Sequence, residues 1–529
     1  MSDRQNFNHS SGLPNDRSEQ LKTGLDGSPL LKMLLARTQT GRDCWHMPGH
    51  DGGAAWPAWF ARSLAQLDVT ELPDTDDINH PTGPAEQAMV LAAQANGAAF
   101  TRFFTSGATT ALYTMLALAS GPGDALLVSR SCHRSVLNAA ALLDLTLMPL
   151  CQTGYPWPDN KSGEPRLSLF PQATLADVIQ AVGDHPRCRA VLLTSPDYYG
   201  CCADLSAIAR FLHRQGILLL VDEAHGAHFP YDRNGRLPQS AMASGADACV
   251  QSGHKTLPVL TGGAMLHIGY EAFRSGILTS DELDRLLPAF QTSSPSFPIA
   301  ASLDYARTLM EEQGDQQISV ALTRLQQFKV NLPDWLTCQP LTLDGDATGG
   351  NGLTRDPLRL VLTSRSSDDA ACVSRLAQGL AENGIDIEFA DLTRLVLIPS
   401  LWQKETAWQK LSVCLENLSR QKTEPDLSVI LKSRQLLELE AVWRSDLPQP
   451  EQVLTLREAL LSKRARQQIP LARAAGCIVS QSLVPYPPGI ALVRPGERLD
   501  QKMVDFICLL LENNINMNGV VSGKVQVFA

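Results

Sequence analysis

Apolar runs alternate with helical stretches between about residues 85 and 270. AEQAMVLAAQANGA and ATTALYTMLALAS are predicted to be helices. The apolar runs between such helices are nearly continuous, which is typical of parallel strands that are buried on both faces. Strands are therefore predicted at AFTRFF, DALLVS, RAVLLTS, ILLLVD and ACVQS. This alternation favours a doubly wound α/β layer fold with a mainly parallel sheet.

The rest of the chain is arranged around this α/β segment. SPLLKMLLART has helical periodicity and predicts an arm that packs on the body or on a partner subunit. LRLVLTSRSS and IDIEFADLTRLVLIPS indicate a second, smaller α/β unit, and the chain after it begins helical. The predicted organisation is a disordered tail (1–27), a helical arm (28–45), a large domain (46–304), a small α/β domain (305–420) and a C-terminal domain (421–529).

Composition narrows the possible function classes. The 529 residues are too many for one core, and the 44% hydrophobic and 19% charged content is that of a globular protein. A net charge of −10 argues against a nucleic-acid binder and is compatible with a small cationic substrate. No apolar run reaches the roughly 18 residues of a membrane span, and the polar N-terminus has no signal-peptide pattern. The twelve cysteines form no CxxC pair, which favours reduced thiols in the cytoplasm.

Polar residues follow each of the five predicted strands. Because ligands bind at the carboxyl ends of the strands in such sheets, we expect these polar clusters to converge on one edge. The clusters are Thr105-Ser106-Gly107-Ala108-Thr109-Thr110; Arg130, Cys132 and His133; Pro196, Asp197, Tyr198 and Tyr199; Asp222, Glu223 and His225; and Ser252, His254 and Lys255.

Taken together, these clusters suit pyridoxal 5'-phosphate. Alone, each has an ordinary interpretation: the turn at 105–110 caps a helix, Asp222 caps a strand end, and Lys255 reaches solvent. The cofactor needs a helix N-terminus for its phosphate, a carboxylate for its pyridine nitrogen and a lysine amine for a Schiff base. A metal site built from Asp222, His225 and His228 is the rival interpretation, but it leaves Lys255 and the turn unexplained.

Motifs that extend from about residue 28 to 500 carry a family resemblance. They are HMPGHDGG (46–53), LDVTELPDTDDINHPTGP (67–84), TSGATTA (105–111), SRSCHRSV (129–136), TSPDYYG (194–200), VDEAHGAHF (221–229), VQSGHKTLPVLTGGAMLH (250–267), QTSSPSFPIAASLD (291–304) and PYPPGIALVRPGE (485–497). With these motifs the sequence resembles the Orn/Lys/Arg decarboxylase family, and short members without an N-terminal wing domain are the closer match. The resemblance implies the fold type I architecture of aspartate aminotransferase: a pyridoxal-phosphate-binding large domain, a small α/β domain and a family-specific C-terminal domain.

The resemblance also implies roles for individual residues. Lys255, His133 and Asp222 would be catalytic: Lys255 would form the Schiff base, His133 would stack on the pyridine ring, and Asp222 would pair with the ring nitrogen. His225 would lie near the phenolic oxygen of the ring. The implied phosphate ligands are Gly107, Ala108, Thr109, Ser252 and His254, with Thr292 or Ser293 reaching the phosphate of a neighbouring subunit.

Four positions depart from the family pattern. Asp51 stands where the family usually has lysine, and Ala108 stands where it often has serine or threonine. Gly253 takes a position that is commonly threonine, and Gly262 takes one that is commonly glutamine. These departures leave room for a different substrate choice or for weaker cofactor binding.

The implied reaction removes the α-carboxylate of a basic amino acid and yields an amine. Lysine and arginine rank above ornithine as the substrate. A carboxylate is expected to hold the distal cation of the substrate, and Glu497, Asp74 and Asp76 are the candidates. The resemblance also implies a homodimer or a dimer-based oligomer with shared active sites, and the charge and hydropathy of the chain predict no nucleic-acid or membrane partner.

Other activities stay open at this point. An aminotransferase or another pyridoxal-phosphate lyase could use the same fold, and in an aminotransferase Arg394 is placed to hold the substrate carboxylate. A non-catalytic regulator that has kept the fold is a further alternative. The joint presence of His133, Asp222 and Lys255 argues against such a regulator.

Overall fold

The computed structural model of the chain describes residues 27–72, 74–129, 131–150, 156–157, 166–167, 172–338, 352–420, 427–445, 450–486 and 489–529. Its strands are β1 (Asp43–Trp45), β2 (Phe100–Phe104), β3 (Ala125–Ser129), β4 (Thr146–Leu150), β5 (Pro156–Trp157), β6 (Arg166–Leu167), β7 (Ala190–Thr194), β8 (Cys201–Cys202), β9 (Leu218–Asp222), β10 (Ala248–Gln251), β11 (Ala264–Ile268), β12 (Leu336–Cys338), β13 (Thr354–Arg355), β14 (Leu360–Ser364), β15 (Ile385–Ile387), β16 (Phe389–Ala390), β17 (Arg394–Leu397), β18 (Glu451–Gln452), β19 (Arg466–Pro470), β20 (Val484–Tyr486), β21 (Glu497–Arg498), β22 (Asn516–Asn518), β23 (Val520–Val521) and β24 (Lys524–Phe528).

The α-helices of these described residues connect and cover the strands. They are Pro29–Thr38, Ala58–Leu67, Pro84–Asn96, Ala108–Ala119, Arg134–Leu143, Leu175–Asp184, Leu205–Arg214, Gly253–Thr256, Tyr270–Arg274, Ser280–Phe290, Phe297–Val330, Cys372–Glu382, Glu405–Arg420, Leu427–Ser445, Leu456–Leu461 and Gln501–Glu512.

A seven-stranded, mainly parallel sheet is the largest layer. Its strand order is β2–β11–β10–β9–β7–β3–β4. The five strands from β10 to β4 are parallel to one another, and β11 is antiparallel to both β10 and β2. Strand β2 therefore runs in the same direction as β10. As a result, the carboxyl ends of all five predicted strands lie at one edge of the sheet, as expected.

The apolar runs are continuous because helices cover both faces of this sheet. Along β9, Leu218 and Leu220 belong to one core cluster together with Leu112 and Val136 of the helices on that face. Leu219 and Val221 belong to a second cluster, together with Val178 and Ile208 of the helices on the opposite face. Since successive side chains of a strand point to opposite faces, every position of β9 is apolar until Asp222.

The five predicted strands are confirmed, but the central sheet contains two strands that the sequence analysis does not predict. One is β4, which lies at the edge of the sheet and contains Pro149. A proline is tolerated in an edge strand, although it weakens the strand signal in the sequence. The other is β11, the antiparallel strand that follows Lys255; it begins just after Gly262 and Gly263 at the carboxyl edge and runs away from that edge.

A long helix, Phe297–Val330, leads from the large sheet to a smaller one. The predicted boundary between residues 304 and 305 falls inside this helix. The smaller sheet is antiparallel, with the order β12–β14–β17–β16, and helices Cys372–Glu382 and Glu405–Arg420 share its core cluster. Two short pairings attach other segments to this unit: β1 pairs with β15, and β8 pairs with β13.

One helix lies before these two units in the sequence and another lies after them. Helix Pro29–Thr38 lies within the segment predicted as an N-terminal arm, and none of its residues is buried in the single chain; packing of the arm on a partner stays a prediction. At the other end, helix Gln501–Glu512 shares a core cluster with strands β19, β22, β23 and β24. Among the described residues, no helix combines the length and the apolar character that crossing a bilayer requires.

Candidate active site

A cavity of about 260 Å³ lies at the carboxyl edge of the large sheet. All five predicted polar clusters contribute to its wall, so the expected convergence is confirmed. Its lining residues are Met47, Gly107, Ala108, Thr109, Leu112, Ser131, His133, Thr194, Asp197, Tyr198, Asp222, Ala224, His225, Ser252, His254, Lys255 and Ile490.

Lys255 and Asp222 reach this cavity from neighbouring parallel strands. Asp222 is the last residue of β9, and Lys255 lies in the short helix Gly253–Thr256 directly after β10. Asp222 is 3% exposed, and its carboxylate accepts a hydrogen bond from the Ala224 amide at 3.2 Å. Burial raises the pKa of Asp222, and the positive charge of Lys255 opposes that shift. A carboxylate held in this way calls for a cationic partner in the cavity.

The amine of Lys255 loses its proton more readily than the amine of a free lysine, which favours nucleophilic attack. Burial lowers its pKa from the usual value near 10.5 to about 8, and Asp222 counteracts part of this effect. At neutral pH the neutral amine is therefore present at about a tenth of the total, several hundred times its share in a free lysine. The Nζ atom lies 2.9 Å from Nε2 of His225 and 5.6 Å from the centroid of the Tyr198 ring.

His225 is buried between Lys255 and an arginine from the smaller sheet. Its Nδ1 lies 3.2 Å from Nη2 of Arg359, and its ring packs edge-on against Tyr198 at 4.8 Å. Burial is the largest cause that holds the pKa of His225 well below its usual value, and the cations Lys255 and Arg359 add to it. The imidazole is therefore neutral at physiological pH.

His133 lines the same cavity and caps the N-terminus of helix Arg134–Leu143. Its Nδ1 accepts the Ser135 amide at 3.3 Å and lies 2.7 Å from the Ser135 hydroxyl. Because Nδ1 accepts, the neutral ring carries its proton on Nε2. Burial lowers the pKa of His133 to about 4, and Lys255 contributes to the shift. An uncharged, planar ring at this place suits stacking on an aromatic cofactor.

The start of helix Ala108–Ala119 supplies a site for an anion. Gly107 precedes the helix with a φ of +87°, and its amide donates to the Gly262 carbonyl at 2.8 Å. The amides of the first turn have no acceptor inside the helix and carry the positive end of its dipole. Ser252 and His254 lie on the same wall, with the Ser252 hydroxyl 3.2 Å from Nδ1 of His254.

The residues of this cavity fit pyridoxal phosphate. An amine of lowered pKa, a buried carboxylate, a neutral imidazole ring and a helix N-terminus surround one space. These are the groups that an aldehyde, a pyridinium nitrogen, a planar ring and a phosphate require. The cofactor also accounts for a lysine and a buried aspartate that line one cavity and act on each other electrostatically.

Comparison with known proteins identifies the family. The profile of the Orn/Lys/Arg decarboxylase major domain matches residues 28–342, and that of the C-terminal domain of the same family matches residues 439–521. The chain belongs to the Orn/Lys/Arg decarboxylase family. The predicted family is thereby confirmed.

Individual members of this decarboxylase family match over almost the full chain. The uncharacterized protein YaaO of Bacillus subtilis is 31% identical over 497 residues, which cover 93% of this chain and 96% of YaaO. An arginine decarboxylase of Bacillus anthracis is 28% identical, with 93% and 94% of the two chains covered. The solved structure of the constitutive lysine decarboxylase of Escherichia coli superposes with a TM-score of 0.72 at 20% identity, covering 99% of this chain and 86% of that one. This likeness confirms the predicted fold class.

Three acids expected from the sequence to hold the substrate do not line the cavity of their own chain. Glu497 is 2% exposed and accepts the Arg494 amide at 2.7 Å. Asp76 has a φ of +70° and accepts four backbone amides of residues 77–85, and these bonds outweigh the effect of burial and lower its pKa. Asp74 is exposed.

Four further candidates also lie outside the cavity wall. Thr292 and Ser293 do not line this cavity, and their predicted contact with the phosphate of a neighbouring subunit stays a prediction. Arg394 forms an ion pair with Asp391 at 3.4 Å and lies over the Tyr199 ring, so it is engaged away from the cavity. His228 pairs with Asp356 at 3.4 Å, whereas His225 faces Lys255. The two histidines of the rival metal interpretation therefore have separate partners.

The family departures at Gly253 and Gly262 have a steric explanation. Gly262 has a φ of +101°, and a Cβ there would lie 2.9 Å from the Thr105 carbonyl oxygen. A Cβ at Gly253 would lie 2.8 Å from a methyl group of Leu303. Ala108 lines the cavity and offers no hydroxyl group there. Asp51 does not line the cavity, and its backbone has a φ of +46°.

Replacing Gly262 with glutamine, the residue common in the family, should damage the phosphate end of the cavity. A side chain at this φ destabilises the fold by roughly 1–3 kcal/mol. The clash with Thr105 also displaces the Gly262 carbonyl, which accepts the hydrogen bond from the Gly107 amide. We expect a lower melting temperature of the cofactor-free protein and weaker pyridoxal phosphate binding, measured by thermal unfolding and fluorescence titration. Gly235→Gln is the matched control, because Gly235 also has a positive φ but an added Cβ would meet no atom within 4 Å. Equal cofactor affinity in Gly262→Gln and the control would contradict this expectation.

Sequence analysis misses several residues that shape the site. Met47 and Ile490 line the cavity although each is more than 50 residues from the nearest predicted cluster. Arg359 contacts His225, and Glu388 accepts the Met47 amide at 3.0 Å while acting electrostatically on Lys255. The HMPGH and PYPPGI motifs were the available signal for Met47 and Ile490. No pattern in the sequence pointed to Arg359 or Glu388.

Proposed function

We propose that this chain is a pyridoxal-phosphate-dependent decarboxylase of a small basic amino acid, lysine or arginine in preference to ornithine. The observation that carries the proposal is the meeting of Lys255 and Asp222, from adjacent parallel strands, in one cavity with His133 and the helix start at Gly107. Family membership supports decarboxylation as the reaction class. Relatives named arginine decarboxylase and lysine decarboxylase support the basic amino acid as substrate.

In this proposal each residue has a defined task. Lys255 binds the aldehyde of the cofactor covalently, and Asp222 holds the proton on the pyridine nitrogen. Gly107, Ala108 and Thr109 bind the phosphate through the helix start, together with Ser252 and His254. When bound, the cofactor supplies the conjugated ring that accepts the electrons left at Cα when carbon dioxide departs.

The proton that replaces carbon dioxide at Cα comes from a group in the cavity wall. His133 carries a proton on Nε2, and Lys255 can carry one on Nζ because its pKa is about 8. Lys255 is therefore the proton donor in this proposal, because His133 is neutral, with a pKa of about 4, and could give up its Nε2 proton only by becoming an imidazolate anion. The apolar side chains of Met47, Leu112 and Ile490 exclude water from part of the wall and favour loss of the charged carboxylate.

The proposed setting is a homodimer or dimer-based oligomer in the cytoplasm. The eleven cysteines within the described residues are all free, and most of them are buried, as suits a reducing compartment. The exposed apolar helix Pro29–Thr38, with Leu30 67% exposed, is suited to cover by another subunit. A shared site also accommodates the proposed contact of Thr292 or Ser293 with the phosphate of a neighbour.

Purified protein loaded with pyridoxal phosphate should release carbon dioxide from lysine or arginine and form cadaverine or agmatine. Borohydride reduction of the loaded protein, followed by peptide mapping, should place the cofactor on Lys255. Ornithine and a neutral amino acid such as leucine serve as comparison substrates. If amino groups are exchanged with a keto acid and no carbon dioxide is released, the aminotransferase interpretation replaces this one. Attachment at another lysine would remove the proposed role of Lys255.

A further inference from the structure

Arg359 joins the catalytic cavity to the smaller sheet through a chain of two hydrogen bonds. It precedes β14, is 3% exposed, and approaches His225 on the side away from Lys255. The approach depends on Gly200, which has a φ of +85°, because a Cβ there would lie 2.7 Å from Cβ of Arg359. The glycine thus leaves room for the Arg359 side chain to lie beside the imidazole.

The donor and acceptor capacities of these groups determine where the protons lie in the two hydrogen bonds. A guanidinium has only donors, so Nδ1 of His225 must accept from Nη2 of Arg359. A neutral imidazole with a lone pair on Nδ1 carries its proton on Nε2. That proton points to Nζ of Lys255, 2.9 Å away, and Nζ can accept it only as a neutral amine. A protonated Lys255 would face an N–H group and lose this hydrogen bond.

We propose that Arg359 is a positioning residue: it fixes the Nε2–H tautomer of His225, and through it favours the neutral, nucleophilic form of Lys255. This inference rests on the proposed role of Lys255 and adds a residue from outside the large sheet. When Lys255 is covalently engaged, the same Nε2–H is available as a donor to an acceptor on the cofactor. The arginine thus acts on the chemistry without touching the substrate.

Other charges act on the same atoms and must be separated from this effect. Lys255 is influenced by Asp222 and Glu388, which raise its pKa, and by the charge of Arg359, which lowers it. The pKa of His225 is lowered by burial and, to a smaller extent, by Lys255, Arg359, His133 and His254. Removing Arg359 could therefore shift the pKa of Lys255 through space alone. A double-mutant cycle with His225 distinguishes the two routes.

The test measures the pKa of Lys255 in the full-length, cofactor-free protein by competitive acetylation, quantified on the peptide that contains Lys255. Arg359→Gln removes the charge and allows an acceptor at this place, whereas Arg359→Lys keeps a donor-only cation. We expect Arg359→Gln to raise the pKa of Lys255 by about one unit and Arg359→Lys to change it much less. In a His225→Leu background, the effect of Arg359→Gln should fall to less than half.

An equal shift in both backgrounds, or no shift in either, would overturn the proposal. Arg324→Gln controls for the loss of an arginine in general. The Arg324 guanidinium lies 2.7 Å from the Glu405 carboxylate, and this pair is outside the cavity wall. If Arg359→Gln does not fold, nitrogen-15 spectra of histidine-labelled wild-type protein give the tautomer of His225 directly, with His225→Leu to assign its signals. A proton on Nδ1 would then refute the inference. Neither measurement requires turnover, so a failure of the decarboxylase proposal would be seen separately.

Discussion

Lys255→Met should abolish decarboxylation and covalent cofactor binding, and it should also make the cofactor-free protein more stable. Without the amine, the aldehyde has no covalent anchor, and we expect turnover to fall by at least about 10³-fold. Lys329→Met is the matched control. Its pKa is also lowered by burial, but Lys329 lies on the long helix outside the cavity wall.

The gain in stability follows from the lowered pKa of Lys255. The folded value of about 8 lies below the value of an unfolded lysine, so folding disfavours the charged form. At pH 7 the amine must be protonated at a cost of about 3 kcal/mol, and this cost disappears as the pH rises past about 10.4. Unfolding titrations should therefore show that Lys255→Met is more stable than wild type at pH 7, with a difference that vanishes at high pH. A variant that is less stable at every pH would show that Lys255 is not held against a desolvation cost.

The sequence determines the core of the site because local patterns determine the large sheet. Each strand of the parallel set is a short apolar run, and a parallel sheet brings the residue after each run to the same edge. Asp222 and Lys255 could be placed together in this way, although 33 residues (255 minus 222) separate them. The edge strand β4 was not predicted because Pro149 and the exposed positions of this strand interrupt the apolar pattern.

Residues that other units bring to the cavity could not be placed by such reasoning. Arg359 lies beside His225 because the smaller sheet docks on the large one and Gly200 allows close contact, and neither condition has a local signature. Glu497 was a candidate for holding the distal cation of the substrate, and that role stays a prediction. In the structure its carboxylate accepts the Arg494 amide three residues earlier. A short-range turn and a binding site use the same residue types, and only the fold distinguishes them.

Asp222→Asn should separate cofactor attachment from catalysis. Asparagine keeps the size of the side chain but cannot hold a proton on the pyridine nitrogen, so the ring becomes a weaker electron acceptor. We expect turnover to fall by about 10³-fold, the scale seen when one preorganised electrostatic contact is removed. Lys255 is unchanged, so borohydride reduction should still trap the cofactor on it.

The Asp222 experiment also needs a measurement of unfolding stability and a control variant. Burial raises the pKa of Asp222, so folding disfavours its carboxylate, and the associated stability is lost as the pH rises through the folded pKa. Asp222→Asn in the cofactor-free protein should therefore be as stable as wild type or more so at pH 7, and the difference should disappear in acid. Asp247→Asn is the matched control: burial also raises the pKa of Asp247, but its carboxylate accepts the Leu219 amide at the far end of the same sheet. That variant should keep its turnover. Near-normal turnover of Asp222→Asn would mean that Asp222 does not face the pyridine nitrogen.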